Sequence, residues 1–306
     1  MTPTELLAAS RRWLNDETVA TYKWTVAELI DYYNAAMDDL SRETDLFLDA
    51  YTEATVEIAV VAGTPDYSIP SNIIKLNTVN MTGRTSPLTF TTKRFLELTD
   101  STWRYKASFV GTDISFTDGT PSADSIASVT TDFLDEGLVA DDFIQITGST
   151  SNDTTVQIDT ATQHLLTLET TAALTTEVAG DTVLIRSLNA DTPTHYLTDF
   201  RNNYITLYPC PDEAGRLFVE TTRYQLTALT SSNYSTETIP IDSHYHLGFM
   251  NGILMYAYLK SGPSTFNIEK SNIHGGLFRQ FKDKVKLDIA RTRVPTSNLH
   301  AHDGAI

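Results

Sequence analysis

The stretch IDSHYHLGFMNGILMYAYLKSG, Ile241 to Gly262, decides the fold. Two histidines one residue apart precede a strongly apolar run, so it reads either as a metal or catalytic site or as the start of a buried helix. Leu247, Met250, Leu254 and Ala257 recur at helical spacing, and Ile253 and Tyr258 widen the stripe. Pro240 precedes the run, Asp242 or Ser243 can cap it, and Gly262-Pro263 ends it. On a helix, His244 and His246 point to opposite sides, because only i+3 and i+4 neighbours share a face. Such a pair does not chelate one ion, and a metal site also needs a third ligand. The stretch is therefore expected to open a buried helix.

Working outward, a second helix follows from about Ser264 to Ala290. Phe266, Ile273, Leu277, Phe281 and Val285 form its expected apolar face, and Lys282, Lys284, Lys286, Arg291 and Arg293 gather at its basic end. At the other end of the chain, Leu6, Leu7, Ser10, Trp13 and Leu14 predict a first helix. Trp24 to Thr44 predicts another, with Leu29, Ile30, Tyr33, Met37 and Leu40 on one face and a Thr25/Glu28 capping box. Between the helical ends the period changes to that of strands. YSIPSNIIKLNTV gives an extended lead and a strand from Ile73 to Val79; Lys93 to Leu98 gives a short helix. YITLYPCPDEAGRLFVETTRY reads as strand, turn, strand, with Ile205 and Leu207 sharing one face and Leu217, Val219 and Thr221 another.

From about Ser108 to Ser187 the chain consists of short alternating runs split by Gly, Asn and Asp, the pattern of a small all-β sandwich or barrel. The fold class is thus α+β: a helical core in which the N-terminal and C-terminal helices pack together, a small β-sheet region, and an inserted all-β domain. The expected domains are a discontinuous core of residues 1–107 and 190–290, an acidic insert at 108–189, and an extended C-terminal arm at 291–306.

The chain has 306 residues, a formal net charge of −17 and one cysteine. That charge argues against a general nucleic-acid binder, and one cysteine rules out an internal disulfide or a cysteine-rich zinc cluster. No apolar run reaches the roughly 20 residues that span a bilayer, so no membrane partner is expected. The opening MTPTELLAASRRWLND lacks an apolar core and a cleavage-site pattern. Charge is unevenly spread. Between Val110 and Arg186 there are thirteen Asp or Glu and one basic residue, whereas between Lys260 and Arg293 eight Lys or Arg outnumber Glu269, Asp283 and Asp288.

No catalytic constellation stands out. Gly-x-Ser-x-Gly, a Walker loop, a dinucleotide fingerprint and HExxH are all absent. Asp38-Asp39 and Asp141-Asp142 are adjacent acids that do not straddle a bond as glycosidase carboxylates do. Cys210 lies between two prolines and reads as structural. His300 and His302 in the tail form a second alternating pair and receive no role. The chain is expected to be no enzyme and to hold no cofactor or metal.

The stretch LNDETVATYKWTVAELIDYYNAAMDDLSRETDLF resembles the opening of head–tail connector, or adaptor, proteins of tailed bacteriophages, especially short-tailed ones. The Pro-containing strand YSIPSNIIKLNTV, the strand–turn–strand ITLYPCPDEAGRLFVE and the helix-opening IPIDSHYHLGFMNGILMYAYLK follow in the same order. The insert departs from the minimal pattern and resembles the Ig-like domains that decorate phage structural proteins. The resemblance implies a homo-oligomeric ring, commonly a dodecamer, at the head–tail interface of the virion. It would be made in the host cytoplasm and seated under the portal, with genomic DNA passing through its lumen without sequence-specific binding. Tail nozzle, fibre or spike proteins would dock on it. The implied portal-binding arm includes Lys286, Arg291, Arg293, Val294, Pro295 and Leu299. Tyr22, Trp24, Tyr32 and Tyr33 are candidate ring contacts; the competing reading puts them in the core. The alternative function is a virion carbohydrate- or receptor-binding protein acting through the Thr-rich insert. Truncation after Lys286 is expected to leave a folded chain that no longer docks to portal, and unimpaired docking contradicts the arm assignment.

Overall fold

A computed structural model describes residues 1–120, 122–170 and 172–293. The chain runs α1 (Pro3–Leu14), α2 (Val26–Glu43), β1 (Leu48–Asp49), α3 (Glu53–Val56), β2 (Glu57–Val60), β3 (Asp66–Ser68), β4 (Ile73–Met81), β5 (Thr89–Phe90) and α4 (Lys93–Thr99). It continues with β6 (Tyr105–Gly111), β7 (Ile114–Thr117), β8 (Ser125–Ser128), β9 (Phe143–Thr147), β10 (Thr155–Ala161), β11 (Leu165–Leu168) and β12 (Val183–Leu188). The last elements are β13 (His195–Leu197), β14 (Tyr204–Tyr208), β15 (Gly215–Arg223), α5 (His246–Ala257) and α6 (Ile268–Arg293). The class is mixed α+β. The chain divides into two compact units, residues 1–49, 72–76 and 221–306 in one and residues 50–71 and 77–220 in the other.

The first unit is mainly helical. Both N-terminal helices start with reciprocal caps. The Thr25 hydroxyl accepts from the Glu28 amide at 3.2 Å, and Glu28 accepts from the Thr25 amide at 2.7 Å; Thr2 and Glu5 repeat the device on α1. Between these helices a polar knot closes the loop. Asp16, 3% exposed, accepts from the amides of Lys23 and Trp24 and pairs with Arg11 at 2.8 Å. Arg11 also donates to the Trp24 carbonyl at 2.8 Å. The indole of Trp24 is thereby held inward, where its Nε1 donates to the Ala257 carbonyl at 3.0 Å. Leu6, Leu29, Tyr33, Met37, Leu40, Phe249, Ile253, Leu254 and Phe278 share one apolar cluster, so α1, α2, α5 and α6 have a common core. Each such side chain stabilises by about 1.5–3 kcal/mol when fully buried.

Two glycines explain how close α5 comes to its neighbours. A Cβ on Gly248 would lie 2.2 Å from the Phe281 ring, and one on Gly252 would lie 2.8 Å from Ala36 Cβ and 2.9 Å from Phe278. The apolar faces differ from their sequence-based assignment. On α6 the buried positions are Ser271, His274, Phe278, Phe281, Lys282 and Val285, while the predicted Phe266, Ile273 and Leu277 are exposed. Leu247 of α5 and Trp13 of α1, both placed in core stripes, are 64% and 61% exposed. The last helix also runs three residues beyond its predicted end at Ala290.

The second unit is mainly β. A four-stranded sheet has the order β3-β14-β13-β5, with the β13–β5 pair parallel. The predicted strand–turn–strand at 204–223 does not form a hairpin: β14 pairs with β13 and β3, and β15 pairs with β2 through Gly215–Phe218. Ile205, Leu207, Leu217 and Val219 are buried, as their alternation predicts. A seven-stranded antiparallel sheet has the order β6-β12-β9-β10-β11-β8-β7. Phe109, Phe116, Ile126, Ile144, Ile158, Leu166 and Ile185 contribute to one apolar cluster that draws on all seven strands. The chain enters this sheet on β6 and leaves it on β12, and the two strands are paired neighbours, Val183 with Gly111 through Leu188 with Tyr105.

The Tyr33 hydroxyl is the weak point of the helical core. The residue is 0% exposed, its ring meets Phe249 edge-on at 5.2 Å, and its oxygen has no hydrogen-bond partner among the described residues. Leaving such a group unsatisfied costs roughly 1–3 kcal/mol. Tyr33→Phe is expected to raise the stability to chemical denaturation by about 1 kcal/mol; an equal loss would show that the hydroxyl is satisfied.

Candidate protein-interaction surface

Among the described residues no three His, Cys, Asp or Glu side chains converge to hold a metal ion. His246 is buried with its Nε2 3.0 Å from the Ile241 carbonyl oxygen, whereas His244 is exposed, its ring tilted against Tyr245 with centroids 3.9 Å apart. The two rings diverge as helical spacing requires. His300 and His302 lie outside the described residues. Cys210 is 4% exposed, and burial, with Asp66 nearby, pushes its thiol up to about 12. A thiol so buried and so fully protonated is a poor nucleophile.

The acidic loops of the seven-stranded sheet use their charges on themselves. One oxygen of Asp113 accepts from the Ser128 hydroxyl at 2.6 Å, the amides of Val129 and Thr130 at 2.9 and 2.7 Å, and the Thr130 hydroxyl at 2.9 Å. The Ser128 hydroxyl first, then the Thr130 amide, hold this carboxyl far below the usual aspartate range. Glu177 takes the amides of Thr150 and Ser151 and the Asn152 side chain, and Asp124 takes the amides of Gly119 and Leu174. Asp142 pairs with Lys106 at 3.7 Å and also accepts from the Val139 amide. These hydroxyls and carboxylates close turns and do not converge on an open cleft.

The helical unit offers a different surface. A groove of about 520 Å³ lies between the α2 edge and α6, lined by Asp39, Glu43, Met255, Leu259, Ile268, Ser271, Asn272, Gly275, Gly276, Phe278, Arg279 and Lys282. A second hollow of about 250 Å³, lined by Glu43, Asp45, Lys286, Ile289 and Ala290, continues along α6. Lys282 bonds Glu43 and lies 4.9 Å over the Phe278 ring; Lys286 reaches Glu43 at 3.9 Å. Tyr256 donates to Asp39 across the floor, and burial, reinforced by Asp39, pushes its phenol well up.

The predicted interface residues fall into distinct environments. Lys286 is half exposed and stands at the second hollow. Arg291 is exposed, with Asp288 at 3.9 Å. Arg293 ends α6, and Val294, Pro295 and Leu299 lie outside the described residues. Tyr22 sits at the surface under the Arg11 guanidinium, 3.7 Å above its ring. Tyr32 is half-buried against the helical cluster, and burial, then the charges of Glu28 and Asp31, raise its phenol. Trp24 and Tyr33 are core residues, 2% and 0% exposed, with no ring surface left for a neighbour. Sequence reading missed the groove altogether; its one available signal was the Gly275-Gly276 pair in the middle of a helix, where glycine is unfavourable.

The family model described as SU10 adaptor protein matches residues 1–133 and 113–298. The chain belongs to the SU10 adaptor protein family. It is a phage adaptor, a structural component of the virus. No curated protein matches the chain. No helix among the described residues is long and apolar enough to cross a membrane.

The Asp113 cluster gives a pH-dependent prediction. Its folded-state carboxyl is depressed relative to the unfolded chain, so its stabilisation is full above the unfolded value, about 4, and is lost as pH falls through that range and below. Asp113→Asn is expected to lower the melting temperature at neutral pH, with the gap to wild type narrowing steadily below about pH 4. A gap that does not change with pH would contradict this role.

Proposed function

We propose that the chain is a non-enzymatic head–tail adaptor. Copies close into a ring beneath the portal, continue the DNA channel, and present a platform on which tail proteins dock. The family match from residue 1 to residue 298 carries this reading. A ring requires heterologous contacts, in which two different faces of each subunit meet, and the helical unit has distinct faces to offer. Residues 108–189 are read as an inserted sandwich or barrel. Strands that enter and leave the seven-stranded sheet as paired neighbours support an insertion, because such a domain can be added at one point of a chain without separating the flanking segments.

The end of α6 and the segment after it are the proposed portal-binding arm. Lys286, Arg291 and Arg293 precede Val294, Pro295 and Leu299, which give that segment a basic lead and apolar anchors. A basic lead followed by apolar anchors suits docking on a protein partner as a separate assembly step. The high negative charge of the whole chain suits a lumen through which DNA slides without sticking.

The test is a truncation. The cut after Lys286 is too early, because Tyr245 donates to Asp288 at 3.2 Å and Ile289 packs against the helical cluster. A chain ending at Arg293 is expected to fold with an unchanged melting temperature and to lose binding to portal-bearing heads. Full binding by that truncation would remove the arm from the account.

A further inference from the structure

Four side chains that sequence periodicity assigns to the core stand in solvent: Trp13, Leu247, Ile273 and Leu277, between 44% and 64% exposed. They belong to neighbouring pieces of one flank. The Trp13 ring meets His274 edge-on at 6.3 Å, and Tyr258 donates to the Trp13 carbonyl at 3.2 Å. His274 in turn bonds Asn251, one turn after Leu247, and Leu277 lies one turn after His274. The apolar stripes of α1, α5 and α6 are therefore wider than the core of one subunit. A cluster of this kind marks an interaction surface, since scattered single exposed residues do not.

The other flank of α6 is concave. The groove floor holds Met255, Ile268 and Phe278, and Gly275-Gly276 leave the α6 backbone bare beside it. Gly275 has an internal reason, because its Cβ would meet Met255 Sδ at 3.2 Å. Gly276 has none: a Cβ there meets nothing within 4 Å. Glycine in a helix interior is unfavourable, and nothing within the described subunit requires it at this position. The open space there leaves the backbone accessible to a neighbour.

We infer that the Trp13–Leu247–Leu277 flank of one copy docks into the Gly275-Gly276 groove of the next. Occupancy by a second copy is argued from complementarity on the page. One helix, α6, has apolar knobs on one flank and an apolar hollow on the other, so every copy brings both halves of the contact. Charge orients the contact: Arg12, Lys270 and Lys284 are exposed on the flank of the knobs, and the groove carries its acids, Asp39 and Glu43, on its α2 edge and its bases, Arg279 and Lys282, on its α6 side, so the basic flank meets the α2 edge. A contact between two different faces propagates head to tail and closes when its rotation divides a circle. The inference rests on the proposed ring and assigns the surfaces that build it.

Two variants separate the halves. Gly276→Arg fills the groove, and the added side chain has open space in its own subunit, so folding is expected to be kept or improved. Trp13→Ser with Leu277→Glu removes the knobs from exposed positions. Each is compared with wild type by sedimentation, alone and with heads that lack the adaptor, after thermal melting has established that it folds. Each variant alone is expected to self-associate at least about tenfold more weakly, the effect of losing a buried aromatic or aliphatic anchor. An equimolar mixture of the two is expected to form pairs and stop there, because only one good face of each kind remains. Gly276→Arg assembling like wild type would overturn the inference, as would a mixture that forms no pairs. A variant that self-associates normally but no longer binds heads would assign the groove to a head protein and overturn it too. Wild type that fails to assemble in either setting would instead sink the ring reading itself.

Discussion

The structure of the helical unit depends on the seating of Trp24. Its backbone is fixed by Asp16 and Arg11 and its indole donates to the Ala257 carbonyl, so the loop after α1 is tied to the end of α5, more than two hundred residues away in sequence. Residues 50–220 leave this unit and the chain returns at Thr221, apart from a short visit at 72–76. The helices that carry the proposed interaction surface, α5 and α6, share their core with the N-terminal helices, which supply Leu6, Leu29, Tyr33 and Met37. The buried Arg11–Asp16 pair fits this role as a determinant of geometry. Buried ion pairs contribute little net stability, and breaking one by removing a single partner is costly.

Local rules were legible in the sequence wherever they act within one element. The Thr25/Glu28 capping box, the alternation of β14 and β15, and the divergence of His244 and His246 all follow from spacing alone. Which apolar residues of a helix face inward was not legible. Ile273, Leu277 and Phe281 fit helical i+3 or i+4 spacing as well as His274, Phe278 and Phe281 do, and only the neighbours decide between them. Gly248 and Gly252 leave room on α5 for Phe281, Phe278 and Ala36, and the face of α6 that packs there is the one with Phe278 and Phe281, not the one with Ile273 and Leu277. Strand partners were hidden for the same reason: a Pro-marked turn between β14 and β15 looks like a hairpin until each strand finds a different neighbour. Of the predicted interface residues, Trp24 and Tyr33 illustrate the ambiguity of an aromatic on an amphipathic helix, where core and contact surface share one pattern.

Acidity has two separate physical uses in this chain. In the seven-stranded sheet, Asp113, Asp124 and Glu177 replace missing backbone partners in long turns, which allows short strands to be joined without regular hairpins. On α2 the acids line an open edge beside a groove and face lysines of α6. The two carboxylates of the groove are both engaged, Asp39 by the Tyr256 hydroxyl and Glu43 by Lys282. Membership of a phage adaptor family and a helical surface with more apolar area than its own core uses are two independent observations, and both describe a protein whose work is to hold other polypeptides.

The most direct measurement is electron cryomicroscopy of the head–tail junction of the intact particle. The account predicts a closed ring of identical copies between portal and tail, with side-by-side helical units in which each α6 is flanked by the α1 and α5 surface of its neighbour. Isolated copies attached to the periphery of the tail, or a ring whose α6 grooves open only to solvent, would contradict it.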